Sequence, residues 1–357
     1  MQLGVCVASK IDDIDYVVRA EELGYSHAWM ADSQMIWSDV YASLALAAHR
    51  TSTIQVGTGV AVAATRPAPV TAASIATINQ IAPGRTFLGI GTGNTAMRIM
   101  GHKPMRIAEF DEYLTALRPL LDGEEADVTW RGKTSPVKHL MADSGFVRLG
   151  DIPLYVSGFG PKSLALAGRH GDGAVLSIPP DPVAMSRVWT GIEAGAEAAG
   201  VTIDRDSFHT SSLTTIVVLD EGEAVDSERV KHHCGAFAIA ALHYTYDQYR
   251  NFGRLPSRGP ILDIWDNYRA VVEQTPPERR HQRVHAGHNC WVVPDEMQFI
   301  TRDLIEATCI VGTRDQIVDR LAALDEAGLD QIMILPPLEP RYEVLERVGA
   351  EILPALG

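Results

Sequence analysis

Apolar positions along the chain fall into two alternating rhythms. Short continuous apolar runs are followed by longer stretches in which apolar residues recur every three or four positions. The first kind predicts buried strands, the second amphipathic helices. "LGVCV" (3–7) reads as a strand, and "IDDIDYVVRAEELG" as a helix that stops at Gly24. "HAWMAD" (27–32), "IQVGTGV" (54–60) and "TFLGIG" (86–91) are the next three strands. Between and after them come "DVYASLALAAHR", "PVTAASIATINQI" with Pro69 in its first turn, and "RIAEFDEYLTALRPLL". The pattern resumes with strands at 153–158, 173–177, 211–219 and 331–337. Helices follow each of them, including "AVDSERVKHHCGAFAIAAL" and, before the last strand, "TRDQIVDRLAALDEAG".

Eight continuous apolar strands joined by helices indicate a parallel sheet covered on its outer side. The count favours closure into a single (β/α)8 TIM barrel spanning 1–357 over an open sheet. Two stretches break the rhythm: a polar segment near 122–150, and residues 243–305, rich in Pro, Gly, Arg, His and Trp. Both read as insertions, the second as a lid or a dimer contact.

Composition narrows the function. A hydrophobic content of 46% supports a large core, and a formal charge of −14 argues against nucleic-acid or membrane-surface partners. The four cysteines show no paired spacing, which suits a reducing cytoplasm. The chain has no uninterrupted apolar run of about 18 residues. A small-molecule substrate and a homodimer or higher homo-oligomer are expected.

Chemistry in such barrels gathers at the C-terminal ends of the strands. Those ends are Asp32, Gly59–Val60, Thr92–Gly93–Asn94, Ser157 to Gly160, Ser177 and Pro336–Pro337. "TFLGIGTGN" (86–94) partly matches a dinucleotide-binding turn, but Asn94 stands where the last glycine belongs and several strands precede it. It reads instead as the turn after strand four, open to close approach by a ligand. In "SGFGPKSLALAGRHGDG" (157–173), Gly158 and Gly160 precede Pro161 at a helix start. Unpaired N–H groups there, including those of Lys162 and Ser163, make an anion site, with the Lys162 ammonium and Ser163 hydroxyl beside it. The same residues also suit a plain turn into a Pro-started helix.

"AEELGYSHAWMADS", "VGTGVAVAATRPAPVTAASIATINQIAPGRTFLGIGTGN" and "PLYVSGFGPKSLALAGRHGDGAV" resemble, in matching order, the luciferase-like superfamily of flavin- and deazaflavin-dependent enzymes. Within it the similarity is to the coenzyme F420 branch that includes methylenetetrahydromethanopterin reductase. The resemblance implies hydride transfer between F420 and a small organic substrate. An FMN-dependent monooxygenase and a flavin-binding protein without turnover are the alternatives. It also implies a cis peptide at Gly59–Val60 and a cofactor site made of Asp32, Gly59, Val60, Ala61, Thr92, Gly93, Asn94, Ser157, Gly158, Phe159, Gly160, Pro161, Lys162 and Ser163. Asp32, Ser33 and Asn94 are the catalytic candidates, with Tyr41, His102 and Glu109 as further proton donors. Ser33 and Asn94 replace the His and acid that the sugar-phosphate dehydrogenase branch uses, so that activity is set aside.

Asp32 could alternatively cap its own turn. His281, His285, His288 and Cys290 invite a metal reading, but the spacing lacks a second ligand pair, so a solvated or lid segment is expected. His232 and His233 are expected at a surface or interface. Trp29, Trp37 and Trp265 suit either core or mouth.

Overall fold

The computed structural model describes residues 1–177, 181–256 and 259–356. Eight strands form a closed parallel barrel: β1 (Gln2–Val7), β2 (His27–Met30), β3 (Gln55–Val62), β4 (Thr86–Gly91), β5 (Leu154–Ser157), β6 (Gly173–Leu176), β7 (His209–Thr214) and β8 (Gln331–Ile334). Each strand pairs with its neighbour in chain order, and β1 closes the ring against β8. These are the eight runs expected from the apolar pattern. The 331–337 run is strand only as far as Ile334, and the 211–219 run divides at Thr215. Ile216–Val218 continues beyond the barrel rim, where no barrel neighbour reaches, and pairs instead with Ile310–Gly312.

The barrel interior is filled by rings. Trp29 packs on Phe87 with centroids 4.3 Å apart, and His27 stacks on His209 at 5.4 Å. Glycines on neighbouring strands make the space. A Cβ at Gly57 would stand 2.4 Å from the Phe87 ring, and one at Gly173 would stand 2.7 Å from the Tyr155 ring. Trp29, Gln331 and His27 satisfy one another's polar atoms in this layer. Trp29 Nε1 donates to Gln331 Oε1 at 2.8 Å, and Gln331 Nε2 donates to His27 Nδ1 at 2.8 Å. His27 therefore serves as an acceptor in neutral form.

The two insertions differ in kind. The first holds an antiparallel hairpin, Ala126–Trp130 with Lys133–Val137, turned by Arg131 and Gly132, both at positive φ. In the second, position 243 falls inside a helix. The helix that opens at Glu228 runs on to Phe252, through the expected boundary at 243, because Leu242, Tyr246 and Tyr249 continue its apolar stripe. Gly253 ends it at φ 65°. With helices Pro260–Glu273, Arg280–Val284 and Arg302–Thr308, it builds a second apolar core around Tyr246, Trp265 and Tyr268. Residues 257 and 258 of this insertion lie outside the described residues. Among the described residues, no helix is long and apolar enough to cross a membrane.

Burial moves His27 from an ordinary value of 6.5 down to about 3. Below pH 6.5 the unfolded chain takes up a proton that the folded barrel refuses. The stability tied to this imidazole is thus complete above that pH and is lost as pH falls toward the folded value, by at most about 1.4 kcal/mol per pH unit. Urea denaturation of wild type and His27→Asn between pH 7 and 4.5 should give a shallower pH slope for the variant. Equal slopes would show that His27 is not held neutral.

Candidate functional site

At the C-terminal mouth of the barrel lies a cavity of about 660 Å³. Its floor is the topmost inward layer of the strands: Cys6 of β1, Val60 of β3, Ser157 of β5, Leu213 of β7 and Leu335 just past β8. Its walls are the turns after β2, β4 and β5. Trp37, Arg254, His288 and Asn289 complete the lining, the last three from the second insertion.

Of the residues expected at a cofactor, Asp32, Gly59, Val60, Thr92, Gly93, Asn94, Ser157, Phe159, Gly160, Pro161, Lys162 and Ser163 all line this cavity, as does Ser33. Ala61 and Gly158 do not. Ala61 points outward into the core between barrel and helices. Gly158 lets the following helix sit close, since a Cβ there would be 2.8 Å from the Ser163 carbonyl carbon. The Gly59–Val60 peptide is cis. Ser177, Pro336 and Pro337 also stand outside the lining. Tyr41, His102 and Glu109 lie elsewhere: the Tyr41 hydroxyl is buried behind Asp32 under the Arg66 cation, and Glu109 pairs with Arg106.

Asp32 does not cap its own turn. Its Oδ2 accepts the Val62 N–H at 3.1 Å and Arg66 Nη1 at 2.5 Å, linking the ends of β2 and β3. Burial pushes the carboxyl above the ordinary carboxylate range, and the Arg66 guanidinium opposes that rise. Asn94 is likewise held, its Oδ1 accepting Arg98 Nε at 2.7 Å.

The helix start at Pro161 departs from expectation in one respect. The Ser163 N–H is not free, because it donates to Gly160 O at 3.0 Å within the first turn. The Ser163 hydroxyl instead accepts from the Phe159 and Gly160 amides at 3.3 and 3.2 Å. Lys162 is exposed and has no hydrogen-bond or ionic partner among the described residues.

The histidine-rich segment is not solvated. His285, Asn289 and Cys290 are buried, and His288 and Asn289 face the cavity. His285 bonds Asp247, and Cys290 Sγ accepts from Trp37 Nε1. Among the described residues, no three His, Cys, Asp or Glu side chains converge as metal ligands. His233 is also buried, 3.5 Å from Glu343, while His232 is exposed as expected. Trp29 belongs to the barrel core and Trp265 to the second core. Cys6, Leu213 and Leu335 could have been found by counting: each is two residues beyond an inward-facing one. No local signal marks Arg254, His288 or Asn289.

Replacing Arg66 by Met leaves Asp32 buried without its counter-charge. Breaking such a pair costs about 3–5 kcal/mol. In the variant the folded Asp32 pKa rises further, so the deficit should be largest at pH 7 and shrink toward pH 5 as the carboxyl takes a proton. Denaturation of Arg66→Met at both pH values tests this, and Asp32→Asn in the same background should recover most of the loss. A deficit independent of pH would disconnect the two residues.

The luciferase-like monooxygenase family profile matches residues 9–331. The chain is similar to the 5,10-methylenetetrahydromethanopterin reductase of Methanolobus tindarius, at 35% identity over 95% of this chain and 94% of the relative. The fold is that of the coenzyme F420 dependent tetrahydromethanopterin reductase from Methanopyrus kandleri, with TM-score 0.70, 21% identity and coverage of 100% and 99% of the two chains. It is shared with an F420-dependent secondary alcohol dehydrogenase solved with an F420–acetone adduct, with TM-score 0.68, 19% identity and coverage of 100% and 99%. With a profile match over most of its length, a full-length relative and a common barrel, the chain belongs to the luciferase-like monooxygenase family.

Proposed function

We propose that this protein is a coenzyme F420-dependent oxidoreductase that passes hydride to or from a small organic substrate, acting in the cytoplasm as a homodimer. The observation that carries the cofactor reading is a convergence. The three stretches that resemble the F420 branch meet around one cavity, which has an apolar floor and an anion-suited corner. Cys6, Val60, Leu213 and Leu335 offer that floor to a planar ring.

The corner at Gly160 fits a phosphate. A Cβ there would meet nothing nearer than Ser163 Oγ at 4.0 Å, so the space beside the backbone is open. The Phe159 and Gly160 amides hold only a neutral hydroxyl at long distances, and a charged oxygen is the stronger acceptor. Lys162 adds a cation with no competing carboxylate among the described residues, in a chain whose net charge of −14 otherwise repels anions. When bound, F420 supplies a carbon that gives or takes hydride. The protein's share is to hold that carbon against substrate and keep water out.

Insertion 243–305 acts as the lid of this site, supported by Arg254, His288 and Asn289 in the lining. The homodimer is supported by exposed Leu46 and Val70 on neighbouring helices.

Fluorescence titration of the protein with F420 and with FMN tests the reading, and tight binding of FMN alone would replace it with the monooxygenase. Lys162→Ala should weaken F420 binding by roughly ten- to hundredfold at low salt, the range for a hydrogen bond to a charged group, and by less as salt screens the charge. Unchanged affinity would put the phosphate elsewhere.

A further inference from the structure

We propose that His288, carried by the insertion, is the acid–base residue of this site and that the substrate is an alcohol–carbonyl pair. The proposal rests on the hydride-transfer reading above.

His288 and Asn289 line the cavity next to Trp37, whose ring centroid is 5.8 Å from that of His288. Asn289 Nδ2 lies 3.1 Å from His288 Nε2. An amide N–H there donates, so Nε2 keeps its lone pair and the ring proton sits on Nδ1. Behind it, His285 Nε2 lies 3.1 Å from Asp247 Oδ2. A carboxylate only accepts, so His285 carries its proton on Nε2 and its lone pair on Nδ1. The two rings meet edge to face with centroids 5.3 Å apart, and both Nδ1 atoms are buried without another partner. One Nδ1 bears a proton and the other a lone pair, so the rings are matched for transfer through a small tilt or one water.

Asp247 is fixed in turn. It is 2% exposed, its carbonyl accepts Arg98 Nη1 at 3.1 Å, and Arg98 Nε reaches Asn94 on the cavity wall. A hydrogen-bonded and ionic chain therefore runs from Asn94 on the cavity wall through Arg98 and Asp247 to His285, whose ring meets that of His288 edge to face.

The other ionisable groups lining the cavity cannot shuttle a proton as well. Asp32 is engaged by Arg66 and the Val62 amide. Lys162 and Arg254 are donors without an acceptor atom, and burial pushes the Cys6 thiol up to about 12. His288 is the lining group that both accepts and donates, and burial keeps it in the neutral, accepting form.

What such a relay serves follows from the acceptor. Hydride added to an iminium carbon cancels an existing positive charge and requires no proton. Hydride added to a carbonyl carbon leaves a negative oxygen that must be protonated. In the oxidising direction, the substrate hydroxyl would displace the Asn289 amide from His288 Nε2 and pass its proton there, while the C–H electron pair leaves with its hydrogen as hydride, which bound F420 would take up, and C=O forms. The Nδ1 proton of the resulting imidazolium passes to His285 Nδ1, with the Asp247 carboxylate balancing the charge. Reduction runs these transfers backward.

The test compares wild type, His288→Gln and His285→Gln. F420 titration comes first: absence of F420 binding in wild type ends the hydride-transfer reading itself. With F420 bound, 2-propanol and cyclohexanol, with their ketones, are the probes. His288→Gln should lower kcat by about a hundredfold or more, the scale of general acid–base catalysis, and His285→Gln by roughly tenfold, with F420 affinity within about twofold of wild type in both. A second readout needs no turnover. In F420-loaded, ¹⁵N-histidine-labelled protein, the ring nitrogens assigned to His288 by their loss in His288→Gln should shift when acetone or cyclohexanone is added. Retention of alcohol turnover by His288→Gln overturns the proposal. So does F420 binding with neither turnover nor a His288 shift for any of the four probes, and so does equal reduction of methylenetetrahydromethanopterin by wild type and His288→Gln with the alcohols inert.

Discussion

A closed barrel of eight parallel strands has a diameter set by strand number and tilt, so its interior must be filled by side chains of complementary size. Here the filling is done by a few large rings facing glycines. Trp29, Phe87, Tyr155 and His209 occupy the middle of the barrel, and Gly57, Gly59 and Gly173 give them room. Gly59 has a second consequence. A Cβ there would stand 2.5 Å from Trp29 Cβ, so β3 lies directly against the β2 backbone at Trp29, and Val60 follows immediately above. The floor of the cavity is the layer directly above these rings. Cys6, Leu213 and Leu335 reach that floor because each follows an inward residue of the ring layers by two positions.

Charge is organised in the same local way. The net charge of −14 says nothing about the cavity, where each carboxylate near the lining has a basic partner. Asp32 meets Arg66, Asp247 meets His285 and Arg98, and Glu296 meets His243 and Arg283. Burying an unpaired carboxylate costs several kcal/mol, so these pairs are conditions for the site to exist in folded form. They leave Lys162 and Arg254 as cations at the rim, a local excess opposite in sign to the molecule as a whole.

Much of this was legible in the sequence, for a physical reason. Strands buried on both faces are continuous apolar runs, and the helices between them show a different period, so all eight strands stood out. The turns at the mouth were legible because glycine, hydroxyl and carboxamide residues clustered at strand ends, and twelve of the expected cofactor positions do line the cavity. What failed was information that local pattern does not carry. Thr215 looks like any strand residue, and only the absence of a neighbour at that height divides the 211–219 run. The helix past 242 mixes aromatic and polar residues, and its apolar stripe makes sense only once Trp265 and Tyr268 are known to face it. Ala61 and Gly158 lie between true lining residues but face the other way. His288 and Asn289 arrive from the most irregular part of the chain, where a solvated or lid segment was expected and tertiary packing made a cavity lining.

The insertion and the barrel keep separate apolar cores, the one around Tyr246 and Trp265, the other between strands and outer helices. They meet at the mouth through smaller contacts. Trp37 Nε1 donates to Cys290 Sγ, the Leu338 N–H donates to Cys290 O at 2.9 Å, and Phe159 packs edge-on against Tyr244 at 5.6 Å. Regions joined by few buried apolar contacts separate at a lower free energy than the global unfolding of either part. The contacts that set His288 over the cavity are of this smaller kind. The Arg98–Asp247 link is the exception, since both partners are buried and charged and Arg98 also holds Asn94. The insertion thus completes the cavity lining with His288 and Asn289 while keeping a core of its own.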